Sequence, residues 1–148
     1  AVKNPKTTKF IYRDRLWSGA DMVGLGVSSF GHLGGIHYQN ITNIDHYCDS
    51  VEAKKAPVRR ALMTQEEERF IRELILQWKL GRVDKKYFQK KFGISVAERF
   101  SLIITKWKEN GDLIEEGDYL VLIRDALLRV DSLLHQFFLP HHQDARYV

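Results

Sequence analysis

Cysteine is nearly absent: Cys48 is the only one in 148 residues. A single thiol excludes an internal disulfide framework and a cysteine-ligated metal centre. No Cys-His signature surrounds it, so Cys48 is expected to be a small, half-buried residue rather than a nucleophile. No apolar run is long enough to cross a bilayer. The opening residues, AVKNPKTTKF, carry no secretory h-region, and a cytoplasmic setting is expected. A starting methionine is also missing, which leads to the expectation of an excised or processed piece of a longer protein. Blocks of one charge sign are lacking too. The 23 Lys and Arg residues are interleaved with 19 Asp and Glu, for a net charge of +4. Such a balance favours solubility and weak attraction to anions over dedicated nucleic-acid binding. There is no internal repeat and no low-complexity segment.

What is present is a core. A hydrophobic fraction of 44% with three tryptophans excludes wholesale disorder. FIYRDRLW (Phe10 to Trp17) is rich in aromatic and β-branched types and reads as a strand or extended segment. MVGLGVSSF (Met22 to Phe30) reads as a short buried strand, and GHLGGIHYQNITN (Gly31 to Asn43) as a loop. A short helix follows over Ile44 to Lys55, capped by Asn43, and Pro57 ends that region.

Beyond Pro57 the signals are helical. Thr64 and Glu67 form a capping-box pattern ahead of Ile71, Leu74, Ile75 and Trp78, and Gly81 marks the stop. Asp84 caps a short helix with Tyr87 and Phe88, closed by Gly93. Ser95 and Glu98 form a second capping-box pattern, before Phe100, Ile103, Ile104 and Trp107, with Gly111 as the stop. Two apolar runs around EEGD predict a β-hairpin within Asp112 to Ile123. A last helix is predicted from about Arg124 to Phe138, stopped by Pro140. The fold class is therefore α+β. A mostly helical, winged-helix-like domain is expected over residues 58–148, and a strand-and-loop extension over residues 1–57.

GLGVSSFGHLGG (Gly24 to Gly35) has the look of a ligand loop. It is not a phosphate loop, because no Gly-Lys-Ser/Thr follows. It is not a dinucleotide fingerprint either, since the glycine spacing is wrong and no helix opens after it. The residues by themselves point to strand packing and a tight turn.

The stretch FIYRDRLWSGADMVGLGVSSFGHLGGIHYQN, with Tyr47, Pro57 and the helix LMTQEEERFIRELIL, resembles the C-terminal region of radical SAM enzymes. It is similar in particular to the oxygen-independent coproporphyrinogen III oxidase family, which takes in related haem chaperones. GADMVGLGVSSFG followed by YQN is the most specific part. The resemblance implies a parent with an N-terminal (β/α) barrel, a [4Fe–4S] cluster and S-adenosylmethionine, with the strand-and-loop extension coming from the barrel edge. No cofactor belongs to this chain itself. Gly24, Gly26, Ser29 and Phe30 would line the cofactor pocket, Phe30 largely through its backbone. His32 and His37 would lie near the mouth for a porphyrin or haem-like substrate. Tyr38 and Asn40 are expected to make structural hydrogen bonds across a domain junction. His141 and His142 are an incidental metal-binding tail rather than a built site. The implied partners are the barrel of the same protein and the porphyrin-like substrate, with no membrane span. A dimer through an orphaned strand also stays open.

The alternative is a non-enzymatic winged-helix module that binds nucleic acid or protein. Arg99, Lys106 and Lys108 favour it. Glu98 and Glu109 on the same helix, and Glu115, Glu116 and Asp118 on the hairpin, oppose it, because carboxylates repel phosphates.

Overall fold

The computed structural model describes residues 10–140. The chain divides into two units: Gly19–Gln65, and residues 10–18 together with 66–140. His141 and His142 lie outside the described residues.

The Gly19–Gln65 unit is a three-stranded antiparallel sheet with one helix. Strands β1 (Phe30–Leu33), β2 (Ile36–Asn40) and β3 (Val58–Met63) lie in the order β1-β2-β3. Helix α2 (Ile44–Glu52) connects β2 to β3. The register sets Gln39 between Phe30 and Arg60, and His37 between His32 and Leu62. Gly31 to Asn43 is thus a hairpin and not the expected loop. Gly34 and Gly35 have φ of +57° and +81°, the left-handed pair a two-residue hairpin turn needs. Met22 to Phe30 departs from expectation in the other direction. Only its two ends pair, Met22 as a single bridge to His32 and Phe30 as the first residue of β1, and between them the chain turns through Gly26 and Ser28 at φ +97° and +60°. Asn43 caps α2 as predicted, its side chain accepting from the His46 N–H. Thr64 does not cap a helix. Its hydroxyl and backbone N–H both bond the Gly35 carbonyl and close the end of the sheet. Cys48 is exposed on α2 rather than half-buried.

The second unit is mostly helical. Helix α1 (Ile11–Trp17) replaces the strand read from its aromatic content. The Arg13 guanidinium lies over both the Phe10 and Trp17 rings, a three- and four-residue spacing that stacks only on a helix. The rest runs α3 (Glu66–Lys79), β4 (Arg82–Asp84), α4 (Lys85–Phe92), α5 (Val96–Arg99), α6 (Ser101–Glu109), β5 (Leu113–Glu116), β6 (Tyr119–Leu122), α7 (Arg124–Leu128) and α8 (Val130–Leu134). A 3₁₀ turn over His135–Phe137 follows. Strands β4 to β6 form a second antiparallel sheet in the order β4-β6-β5. Asp84 and Ser95 cap α4 and α5, and Gly93 ends α4 at φ +67°. Two expected helices are broken: one at Phe100, between α5 and α6, and the last at Arg129, between α7 and α8.

Those breaks follow from packing. Phe100 lies edge-on to Phe137 at 4.9 Å, and Arg129 reaches the buried carboxylate of Asp112. Each tertiary contact sets the backbone where a straight helix would carry the side chain away. The core joins Phe70, Leu74 and Trp78 of α3 to Phe88, Trp107, Leu120 and Phe137. Trp78 and Trp107 meet edge-to-face at 5.3 Å. Burying each such ring contributes about 1.5–3 kcal/mol.

Candidate functional site

The glycine-rich strap runs along the free side of β1. Met22 and His32 exchange backbone bonds of 2.7 and 2.8 Å, and then the chain peels away. Gly24 passes so close to β1 that a Cβ there would sit 2.2 Å from the Phe30 carbonyl oxygen. Its N–H donates to the Tyr38 hydroxyl at 3.0 Å. Tyr38 in turn lies against Gly31, where a Cβ would come within 2.2 Å of the ring. Gly26 donates to the Tyr47 hydroxyl of α2 at 3.0 Å. Buried Asn40 closes the arrangement: its Nδ2 donates to the carbonyls of Gly24 and Gly26, each at 3.0 Å.

Tyr38 and Asn40 therefore make structural hydrogen bonds, within their own unit and to the strap. Tyr47 is the anchor that motif reasoning left without a role. Its place four residues after the Asn43 cap, on the first turns of α2, was the available signal.

The predicted site residues fall into two groups. Gly24, Gly26 and Ser29 belong to the strap. The Ser29 hydroxyl donates to the Leu25 carbonyl at 2.6 Å, so it shapes the turn. A Cβ on Gly26 would meet nothing closer than Ser29 Oγ at 3.5 Å, so that side of the strap is open. Phe30, His32 and His37 share one face of the sheet. The Phe30 and His37 rings stack at 5.7 Å with 12° between planes, and His32 lies 6.1 Å from His37. His32 is only 5% exposed, whereas Phe30 is 47% exposed. The register adds Gln39, Arg60 and Leu62 to this face. Their positions followed from strand pairing, which the loop reading of Gly31 to Asn43 concealed.

The helical unit holds a second polar cluster. Glu73, 4% exposed, receives Lys91 Nζ at 2.7 and 2.9 Å on its two oxygens. The Tyr87 hydroxyl lies 2.7 Å from Glu73 Oε2 and 3.0 Å from the Ser18 carbonyl, and it accepts from Lys91 at 2.9 Å. Burial first, and then the Glu73 carboxylate, raises the Tyr87 hydroxyl above its usual range. Burial pulls Lys91 down, but the bonds to Glu73 and Tyr87 outweigh it and leave its pKa raised. With each charge compensated, this is a clamp between α3 and α4.

On the hairpin, Glu115 sits between Lys108 and Lys85. Hydrogen bonds from Lys108 and Lys85, in that order, lower its carboxyl to about 2. Among the described residues, no group of three or more His, Cys, Asp or Glu is placed to hold a metal ion. No helix among them is long and apolar enough to cross a membrane.

No protein-family model matches the chain. Two curated proteins are similar to it, both oxygen-independent coproporphyrinogen III oxidases. The Pseudomonas aeruginosa enzyme is 31% identical over 85 residues, which is 55% of this chain and 18% of the relative. The Helicobacter pylori enzyme is 26% identical over 87 residues, 58% of this chain and 19% of the relative. The likeness is to a C-terminal region of the oxygen-independent coproporphyrinogen III oxidase family. The solved coproporphyrinogen III oxidase of Escherichia coli, described as a radical SAM enzyme, has the same fold over 80% of this chain and 28% of its own. The TM-score is 0.63 at 16% identity. This chain thus spans less than a fifth of either curated oxidase. A four-iron cluster takes several thiolates, and with Cys48 alone the residues here do not fit one.

Proposed function

We propose that this chain is the C-terminal part of a radical SAM enzyme acting on a porphyrin or haem-like substrate, with oxidative decarboxylation of coproporphyrinogen as the reaction. What carries the reading is that the two sequence relatives and the fold relative are all coproporphyrinogen III oxidases. The cluster would be held by a preceding barrel of the same polypeptide. S-adenosylmethionine would supply the radical chemistry there. The role of this chain is to build one wall and a cover. The strap of Gly24 to Phe30 would lie at the edge of that barrel, where the bare backbone at Gly26 lets a ligand approach closely. Tyr38, Asn40 and Tyr47 hold the strap at three points, which suits a surface that must keep its distance from a reacting centre. Phe30 would touch the cofactor through its backbone, and His32 and His37 would face the substrate.

The helical unit would be a winged-helix domain that closes the barrel mouth. Its element order and the sheet order β4-β6-β5 support this topology. The same topology favours a second reading, a module that binds nucleic acid or protein.

The test uses the full-length protein, reconstituted anaerobically. Gly26→Val places a branched side chain on the open side of the strap. It is expected to slow 5′-deoxyadenosine formation on the order of a hundredfold, with Lys90→Ala unchanged. Iron content and thermal melting are read alongside, because φ +97° at Gly26 also strains any side chain. A folded, cluster-bearing Gly26→Val protein that cleaves S-adenosylmethionine at the parental rate would overturn the reading.

A further inference from the structure

We infer that Arg60 is a carboxylate-binding residue, and that with the stacked Phe30 and His37 rings it forms a seat for a flat, carboxylate-bearing macrocycle. The inference rests on the porphyrin reading above and goes past it by assigning the substrate's acidic side chains to a residue. Three observations meet on one sheet face. The first is an aromatic stack: the Phe30 and His37 rings lie one against the other at 5.7 Å, and Phe30 is half open to solvent. Exposed Leu62, paired with His37, extends the apolar surface. A planar conjugated ring stacks on such a surface by offset aromatic contact.

The second is a preset guanidinium. Arg60 is paired through Gln39 with Phe30, two strand spacings or about 10 Å away. Its Nε donates to Gln39 Oε1 at 2.8 Å. The other end of the Gln39 amide donates to the Ser28 carbonyl at 3.4 Å, which fixes its orientation. Because Nε is occupied, the two Nη groups form the outward edge of an exposed side chain, the edge that takes a carboxylate in bidentate fashion.

The third is charge. In the helical unit, Lys85, Lys86, Lys91, Arg99, Lys108 and Arg129 are each matched to a carboxylate, while exposed Lys90 and Lys106 make no ion pair among the described residues. Arg60 makes no ion pair with a carboxylate among the described residues; its bond is to a neutral amide. An arginine on an edge strand can also serve only to deter strand pairing. The experiment separates that role from binding.

The full-length protein is titrated with coproporphyrin III, with a porphyrin carrying neutral hydroxyalkyl groups in place of its propionates, and with S-adenosylmethionine. Binding of the porphyrins is read from the shift of the main absorption band, and that of S-adenosylmethionine by calorimetry. Arg60→Ala is expected to weaken coproporphyrin III about tenfold, the scale of one charge-assisted bidentate contact, and to leave the neutral porphyrin unchanged. Arg60→Lys is expected to fall between. Circular dichroism of each variant checks that the sheet is intact. Equal affinity of Arg60→Ala and the parent for coproporphyrin III overturns the inference alone. So does an equal loss for both porphyrins, or a loss confined to S-adenosylmethionine. Failure of the unsubstituted full-length protein to take up either porphyrin overturns the porphyrin reading itself.

Discussion

A methyl group at Gly31 would sit 2.2 Å from Tyr38 Cζ, and Tyr38 is bonded to the Gly24 N–H. The ring therefore cannot move aside without releasing the strap. Gly31→Ala is expected to destabilise the protein by about 1–3 kcal/mol, the usual cost of forcing atoms into a filled space. The cost has one named source, so it should nearly vanish when that source is removed. In a Tyr38→Leu background the same substitution is expected to cost about 0.5 kcal/mol or less. Urea denaturation of the four proteins in the cycle measures this. Additive losses would mean that the Gly31 to Tyr38 contact is not what fixes the strap. At this scale the sequence was partly legible. The glycines announced a close approach, and YQN marked the residues that hold the strap. What each glycine avoids was not legible, because the obstacle comes from another strand. Gly26 shows the same limit: its constraint is the φ of +97°, not crowding.

Among the elements, local signals were read well and long-range ones poorly. Asn43, Asp84 and Ser95 cap the helices that follow them because a cap bonds an N–H only three residues on. Thr64 fits the same pattern, yet its hydroxyl is taken by Gly35, 29 residues earlier. The hairpin of β5 and β6 was expected, and its turn is stiffened by charge. Glu115 is held by Lys108 and Lys85, with its carboxyl lowered from 4.5 to about 2. The sign follows from that direction. The folded state favours the carboxylate, so the stabilisation is complete above the unfolded value near 4.5 and is lost as pH falls toward 2. Solvent reaches both lysines and the glutamate, so the group is worth the roughly 0.5–1 kcal/mol of an exposed ion pair rather than the full shift. Glu115→Gln is therefore expected to lower stability by about that much at pH 7. The gap to the parent should close as pH drops from 4.5 to 2. Urea midpoints taken across that range check it. A gap that persists at pH 2 would point to lost packing instead.

For the molecule as a whole, the open question between the two functional readings is whether the helical unit can hold nucleic acid. Charge decides it better than topology. Binding to phosphates is driven by counterion release, with a salt slope of about −0.9 per phosphate neutralised. Of the cations near the hairpin and α6, Lys85 and Lys108 are held by Glu115, Lys86 by Asp118 and Arg99 by Glu67, while Lys106 of α6 makes no ion pair among the described residues. Glu109 on α6 and Glu116 on β5 add repulsion on the elements that would approach the duplex. The chain is thus expected to bind duplex DNA only in the non-specific range of about 10⁻⁴–10⁻⁶ M, without sequence preference. Its salt slope should be shallow, about −2 or less in magnitude. Glu115→Gln offers an internal control, because it releases two lysines at once. It should steepen the slope by about 1–2 and tighten binding at low salt while it loosens the hairpin. Fluorescence anisotropy over a series of salt concentrations measures both proteins. Sequence-selective binding of the parent at physiological salt would sink this argument and favour the nucleic-acid module over the enzyme cover.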